Sequence, residues 1–321
     1  MDSATPGTIF VTGANGGLGS AIAKVIVGSS ELSKLHGIYS VRNVKTASTL
    51  KASLGHTDSS HQHDVVALDL SELANVRDVA AKINQQVADG SLAPIRALVL
   101  NAAFQEHTTQ TFTVDGFDMS FQCNYLSHWL LTLLLLQSLD KERGRIIVIS
   151  SCGHDAYDRR QAALGIFKEE RWKIMFNSTE SLAKGTWSSP TEDPTGLGGM
   201  RRYCASKQCL VMMLYELQRR LTNDPTLSNI CVLGLDPGGM PTTILHRGNF
   251  VMSVISAKDV LRAAFDVETL GQRPRAAYLN GAELWESSAE SRDEGKQRQL
   301  WLDSVKLTGL QLGHTVLLAW D

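Results

Sequence analysis

The residues Thr12-Gly13-Ala14-Asn15-Gly16-Gly17-Leu18-Gly19 restrict this chain more than any other stretch. They follow a short apolar run, Ile9-Phe10-Val11, and lead into Ser20-Ala21-Ile22-Ala23-Lys24-Val25-Ile26. The order is strand, tight glycine turn, helix. Glycines let a backbone come close to a pyrophosphate, and the helix that follows offers unpaired N–H groups and a partial positive charge. The spacing is G-x-x-x-G-x-G, not G-x-G-x-x-G, and alone it only suggests a nucleotide, because glycine turns are common.

Bulk properties narrow the classes. A chain of 321 residues fits one large α/β domain or two small ones, and 43% hydrophobic content is ample for a core. With 31 basic against 33 acidic residues, the formal charge of −2 gives no basic excess for nucleic acid or an anionic membrane surface. The five cysteines, Cys123, Cys152, Cys204, Cys209 and Cys231, are odd in number and lack zinc-like spacing. They read as reduced thiols in a cytoplasmic protein. Residues 1–7 carry neither a basic nor a long apolar segment of the kind a signal peptide needs. Leu130–Leu136 is too short to span a bilayer, and the apolar 316–320 reads as a docked tail rather than an anchor.

Apolar runs alternate with segments of helical period. The expected strands are Thr8–Val11, Gly37–Val41, Asp64–Leu70, Ile95–Asn101, Arg145–Ser151, Ile230–Leu235 and Ala276–Leu279. The expected helices include Gly19–Val27, Leu73–Val87, Asp115–Leu139 and Tyr203–Leu221. Strands rich in Val, Ile and Leu, spaced by helices, predict a Rossmann-type doubly wound parallel sheet covered on both faces. We expect one domain over 1–321, with a helical extension or tail over 285–321. The helix 115–139 is apolar almost all round at Trp129–Leu136, so a second helix or another subunit must cover it, and burial that includes a subunit contact is the preferred reading. A homo-oligomer, dimer or tetramer, is therefore expected. The segment 153–200 is polar and without strand pattern, and reads as a substrate lid or equally as a structural flap or oligomer arm.

Tyr203 and Lys207 stand four apart at the start of the helix whose apolar positions include Leu210, Val211, Leu214 and Leu217. They therefore share a face. An ammonium near a phenol stabilises phenolate and lowers the tyrosine pKa from about 10 towards neutrality. Such a tyrosine can give a proton to a ketone oxygen or take one from an alcohol. Ser150-Ser151 and Asn101-Ala102-Ala103 end two strands, Asn124 lies in the helix between them, and Asp236-Pro237-Gly238 follows a third strand. Parallel sheets bind ligands at this carboxyl edge.

In this set and order, the motifs resemble the short-chain dehydrogenase/reductase family, in its short-fingerprint branch. The matching residues are Thr12-Gly13-x-x-x-Gly17-x-Gly19, Asp69-Leu70, Asn101-Ala102-Ala103, Asn124, Ser151, Tyr203-x-x-x-Lys207 and Pro237-Gly238, over roughly Thr8 to Thr242. The resemblance implies that Tyr203 is the general acid or base. It implies that Lys207 tunes Tyr203 and holds the nicotinamide ribose, and that Asn124 supports a water relay to Lys207. Ser151 would polarise the substrate carbonyl; it is chosen over Ser150 because the family motif puts the active serine second. The cofactor would lie along Thr12, Gly13, Asn15, Gly17, Leu18, Gly19, Asn101, Ala102, Pro237 and Gly238, with Asp69 and Leu70 flanking the adenine and Thr242 at the carboxamide. Ala103 departs from the usual glycine and narrows the adenine side by one methyl. The long insertion is similar to that of the retinol dehydrogenase and protochlorophyllide reductase-like members.

After the second strand, NAD-binding folds place an acidic residue on the ribose 2′-OH, whereas an arginine there accommodates a 2′-phosphate. This chain reads Tyr39-Ser40-Val41-Arg42-Asn43, which predicts NADP(H) held by Arg42 and Asn43. The expected activity is an NADPH-dependent carbonyl reductase, or its reverse, an alcohol dehydrogenase. Trp172, Phe176 and Trp187 in the insertion weakly suggest a medium to bulky apolar ketone. The overall look is similar to accessory reductases of fungal secondary metabolism. A non-redox cyclase or isomerase on the same fold, or an NADP(H)-sensing protein, is the alternative. His61-Gln62-His63 is read as a solvated loop rather than a metal site, and no metal is expected. His154 is read as a substrate contact or a polar rim residue.

Overall fold

The computed structural model describes residues 7–55, 61–193, 195–238 and 249–321. In chain order its main elements are β1 (Thr8–Val11), α1 (Gly17–Val27), β2 (His36–Val41), α2 (Ser48–Leu54), β3 (His63–Ala67), α3 (Leu73–Ala88) and β4 (Ile95–Leu100). There follow α4 (Ser127–Leu135), β5 (Arg145–Ile149), α5 (Gly198–Thr222), β6 (Cys231–Asp236), α6 (Asn249–Phe265), β7 (Tyr278–Asn280), β8 (Glu283–Leu284) and α7 (Glu294–Thr308). One sheet runs in the order β3-β2-β1-β4-β5-β6-β7-β8, parallel except for β8. The chain reverses its direction of winding between β1 and β4, so the glycine turn after β1 lies at the switch point where such sheets bind ligands.

Alternation along the strands divides the core. Phe10, Ile38, Leu98, Ile146 and Val148 face α3, α4, α5 and α7, while Ile9, Val11, Tyr39, Val99, Ile147 and Ile149 face α1, α2 and α6. Both faces are dry, which is why the strands read as unbroken apolar runs.

Several boundaries differ from the sequence reading. β3 stops at Ala67, because Asp69 turns the chain: its Oδ1 accepts from Ser71 N and Oγ at 2.9 and 2.7 Å. No continuous helix covers 115–139. Gly116 has φ +80°, and helical structure starts at Met119, where Asp118 Oδ1 accepts from Ser120 N and Phe121 N. A π-helical turn over Gln122–Leu126 precedes α4. Tyr203 is not at a helix start either, since α5 begins at Gly198.

The apolar cylinder of α4 is covered by the chain itself, not by a second subunit. Trp301 of α7 meets Trp129 edge to face at 5.2 Å, and Thr315 Oγ1 donates to Leu133 O at 2.7 Å. The insertion is likewise anchored. Trp172, Phe176 and Trp187 are buried in the core, with Trp172 and Trp187 edge to face at 5.7 Å. Arg201 stacks on Trp172, ion-pairs with Asp193 and donates to Ile166 O, while Arg202 binds Ser188 O, Thr109 O and Asp118. These aromatics hold the insertion down and so carry no argument for an apolar substrate. His61 is also buried, not solvated, and its Nε2 meets Tyr39 Oη at 3.0 Å.

Candidate functional site

The glycine turn is shaped by its neighbours on one side and open on the other. Gly13 has φ +65°, and a Cβ there would lie 2.7 Å from Ala102 Cα. At Gly19 a Cβ would lie 2.5 Å from Gly13 O. Neither position tolerates a side chain. Gly17 differs, because a Cβ there would meet only Ser253 Oγ at 3.9 Å. No side chain caps α1, whose N-cap is Gly16. Among the described residues, the turn therefore presents an open cradle and first-turn N–H groups without a side-chain partner, which suits a phosphate.

The residues around the turn divide into frame and lining. Thr12 Oγ1 accepts from Asn101 N and Ala102 N at 2.8 and 3.0 Å, and Asn101 Nδ2 donates to Thr12 O at 2.7 Å. Thr12 thus bolts β1 to the end of β4 from a fully buried position. Asn15 Oδ1 accepts from Leu50 N at 3.1 Å and ties the turn to α2. Sequence reasoning missed the partner behind Thr12. His128 is buried, its Nδ1 donates to Asn124 O, and its Nε2 accepts from Thr12 Oγ1 at 2.9 Å. Burial pushes this imidazole down to about 4, so it stays neutral and keeps that tautomer. A histidine inside an apolar helix gives no sign of a partner more than a hundred residues away.

Arg42 and Asn43 leave β2 at the same edge. Both are exposed, Arg42 has no acidic partner among the described residues, and Asn43 Oδ1 accepts from Lys45 N at 2.9 Å. Leu70 is buried, and its carbonyl accepts from Ser127 Oγ. Pro237 and Gly238 follow β6; Thr242 lies outside the described residues.

Ser151 follows β5 and caps a short turn, its Oγ accepting from Gly153 N at 3.1 Å. This leaves the hydroxyl proton free to donate. Tyr203 is half-buried, with the Ser151 hydroxyl close enough to lower the pKa of its phenol. Lys207 is 2% exposed, its Nζ lies 5.7 Å from the Tyr203 ring centroid, and it donates to Ile149 O at 2.8 Å. Asn124 lies in the π-helical turn before α4. Its side chain pairs both ways with the Phe104 backbone and donates to Ser206 Oγ at 2.9 Å. His154 is buried: its Nδ1 lies 2.7 Å from Ser151 O, and its Nε2 accepts from Ser288 N.

The electrostatics differ from the sequence expectation. Burial raises the Tyr203 phenol well above its usual range, and the Ser151 hydrogen bond only partly opposes this. The phenol is therefore protonated at neutral pH. Lys207 shifts the other way, pushed down to about 8 by burial, with Asp236 opposing. The sign has a consequence for stability. Below pH 8 the lysine is charged in both states and its desolvation cost is at full strength. Between pH 8 and 10.5 the unfolded chain binds more protons, so the cost is relieved as pH rises. That cost is about 3 kcal/mol, less about 1 kcal/mol for the hydrogen bond to Ile149 O. Lys207→Met should thus be more stable than the parent by about 2 kcal/mol at pH 7 in urea unfolding, with the gap closing at pH 10. An equal gap at both pH values would refute this.

Comparison with known proteins agrees with the geometry. A short chain dehydrogenase family profile matches residues 7–162. The short-chain dehydrogenase iccH of Talaromyces variabilis is 43% identical, over 98% of this chain and 99% of its own. The chain belongs to the short-chain dehydrogenase/reductase family. Mouse retinol dehydrogenase 13 is 29% identical over 96% of this chain and 85% of its own. Among solved structures, an uncharacterised protein from Mycobacterium paratuberculosis superposes with a TM-score of 0.66 at 25% identity, covering 96% of this chain and 97% of that one. Short-chain dehydrogenases use nicotinamide cofactors, and the open cradle at Gly17 with the uncapped α1 fits the pyrophosphate of such a group. No helix among the described residues is long and apolar enough to cross a membrane.

Proposed function

We propose that this protein is an NADPH-dependent carbonyl reductase acting on a ketone. The observation that carries this reading is the convergence of Ser151, Tyr203 and Lys207 at the carboxyl end of β5. Reduction of a ketone needs a proton donor at the nascent alkoxide, and a protonated phenol supplies one. Ser151, with its Oγ already accepting from Gly153 N, directs its O–H at the carbonyl oxygen and stabilises the charge that develops there. Lys207 Nζ, whose proton is loosely held at neutral pH, stands behind Tyr203 as the group that returns a proton to the phenol. When bound, the nicotinamide supplies the hydride.

Turnover is tested by the loss of NADPH absorbance over a panel of ketones such as acetophenone and tetralone. Cofactor choice rests on Arg42, an exposed guanidinium without an acidic partner among the described residues. A charge-assisted pair with a 2′-phosphate contributes about 1.5–3 kcal/mol, so Arg42→Ala should weaken NADPH binding about 10- to 100-fold and leave NADH binding unchanged. Fluorescence titration of both cofactors reads this directly. Equal affinity of the parent for NADH and NADPH would overturn the assignment.

A further inference from the structure

Asp236 ends β6 one residue past Leu235, which pairs with Ile149 in the parallel register, so its carboxylate stands at the same sheet edge as Ser151. It is 2% exposed. Its Oδ1 accepts from Gly238 N at 3.0 Å and fixes the direction in which the chain leaves the sheet through Pro237. Its Oδ2 lies 2.9 Å from Arg160 Nη2. Arg160 belongs to a short helix, Arg159–Ala162, inside the insertion. Asp158 holds the guanidinium from the other side, accepting from Nε at 3.0 Å and from Nη2 at 2.8 Å. The next residue, Gln161, donates to Cys152 Sγ at 3.1 Å, and Cys152 adjoins Ser151. Two adjacent insertion residues therefore bring it down on the ends of β5 and β6. A buried carboxylate persists where it is paired, and this one has a backbone N–H bonded to one oxygen and a guanidinium within ion-pair distance, though not hydrogen-bonded, of the other. Its charge also opposes the burial that pushes Lys207 down.

We propose that Asp236 is a positioning residue for the Ser151–Tyr203–Lys207 site, and that its ion pair with Arg160 is the joint that aligns the 155–165 part of the insertion with that site. The inference rests on the carbonyl reductase reading. The Gln161 side chain is held by one weak hydrogen bond, to Cys152 Sγ, so the ion pair carries the alignment of residues 155–165 relative to Ser151. Arg160 is part-exposed and Asp236 is not, so the joint is anchored in the sheet and can be opened from the insertion side.

The test uses the full chain with Asp236→Asn, Arg160→Met, the double variant and Arg160→Lys. Asparagine keeps an acceptor for Gly238 N and removes only the charge. Misplacement of a reacting group by about 1 Å costs up to 100-fold, so both single variants should lose about 10- to 100-fold in kcat on the fastest ketone of the panel. NADPH affinity should stay within about twofold of the parent. The double variant should lose no more than Asp236→Asn alone, because Arg160→Met removes only the contact that Asp236→Asn also removes, and Arg160→Lys should recover much of the Arg160→Met loss. Hydrogen–deuterium exchange over 155–165 should speed up in Asp236→Asn and Arg160→Met alike. Unchanged exchange there, or single losses that multiply in the double variant, would overturn the joint. A parent that binds NADPH and reduces no ketone would sink the reductase reading instead, and the exchange measurement would still judge the joint.

Discussion

Tyr203→Phe is expected to lower ketone turnover by about 100- to 10,000-fold, the range that a positioned proton donor contributes. Phenylalanine fills the same half-buried space on α5 and removes only the hydroxyl, so the fold and NADPH binding should survive. The effect should fall on kcat rather than on cofactor affinity, because the proton is delivered as negative charge develops on the carbonyl oxygen. Ser151 and the bound cofactor remain in the variant, which is why residual turnover above the uncatalysed rate is expected. Steady-state rates with NADPH titrations on the same preparation separate the two. Unchanged turnover would remove Tyr203 from the chemistry and return the non-redox and cofactor-sensing alternatives.

The second large effect is on stability. Trp301→Ala should destabilise the chain by about 3–5 kcal/mol, the usual range for emptying a buried indole site. Trp301 is 1% exposed, lies edge to face on Trp129 and stacks under the Arg220 guanidinium. Its Nε1 donates to Trp320 O at 2.7 Å. The variant would lose the apolar area, the aromatic pair and the bond that ties down residue 320 together. Trp301→Phe keeps most of the packing and loses the bond, and should cost less. Urea unfolding of both variants checks the order, and a loss below 1 kcal/mol for alanine would contradict the packing described.

Legibility in the sequence followed the range of the interaction involved. The strands and the glycine turn were readable because buried parallel strands and tight turns leave local patterns, as at Ile9–Val11 and Arg145–Ile149. The Tyr203–Lys207 pair was readable because one helical turn relates the two residues. What could not be read depended on contacts distant in sequence. Trp172 and Trp187 looked available to a substrate until Arg201 and the core claimed them. Leu130–Leu136 seemed to need another subunit, since nothing near it announces that residues 301–317 return to cover it. The tyrosine pKa shifted opposite to expectation, because the sequence gives proximity of a charge and says little about the depth of burial.

The cover over α4 bears on how the chain comes to be folded. Trp129 is added when less than half of the 321 residues have been made, whereas Trp301 follows near the end of this sequence. Through that interval an almost wholly apolar helix has no lasting partner on one side. Native closure then joins segments far apart in the chain, the kind of contact that forms slowly. The helix beside the candidate site thus waits for its cover, and Trp301, arriving with the C-terminal segment, ends that wait.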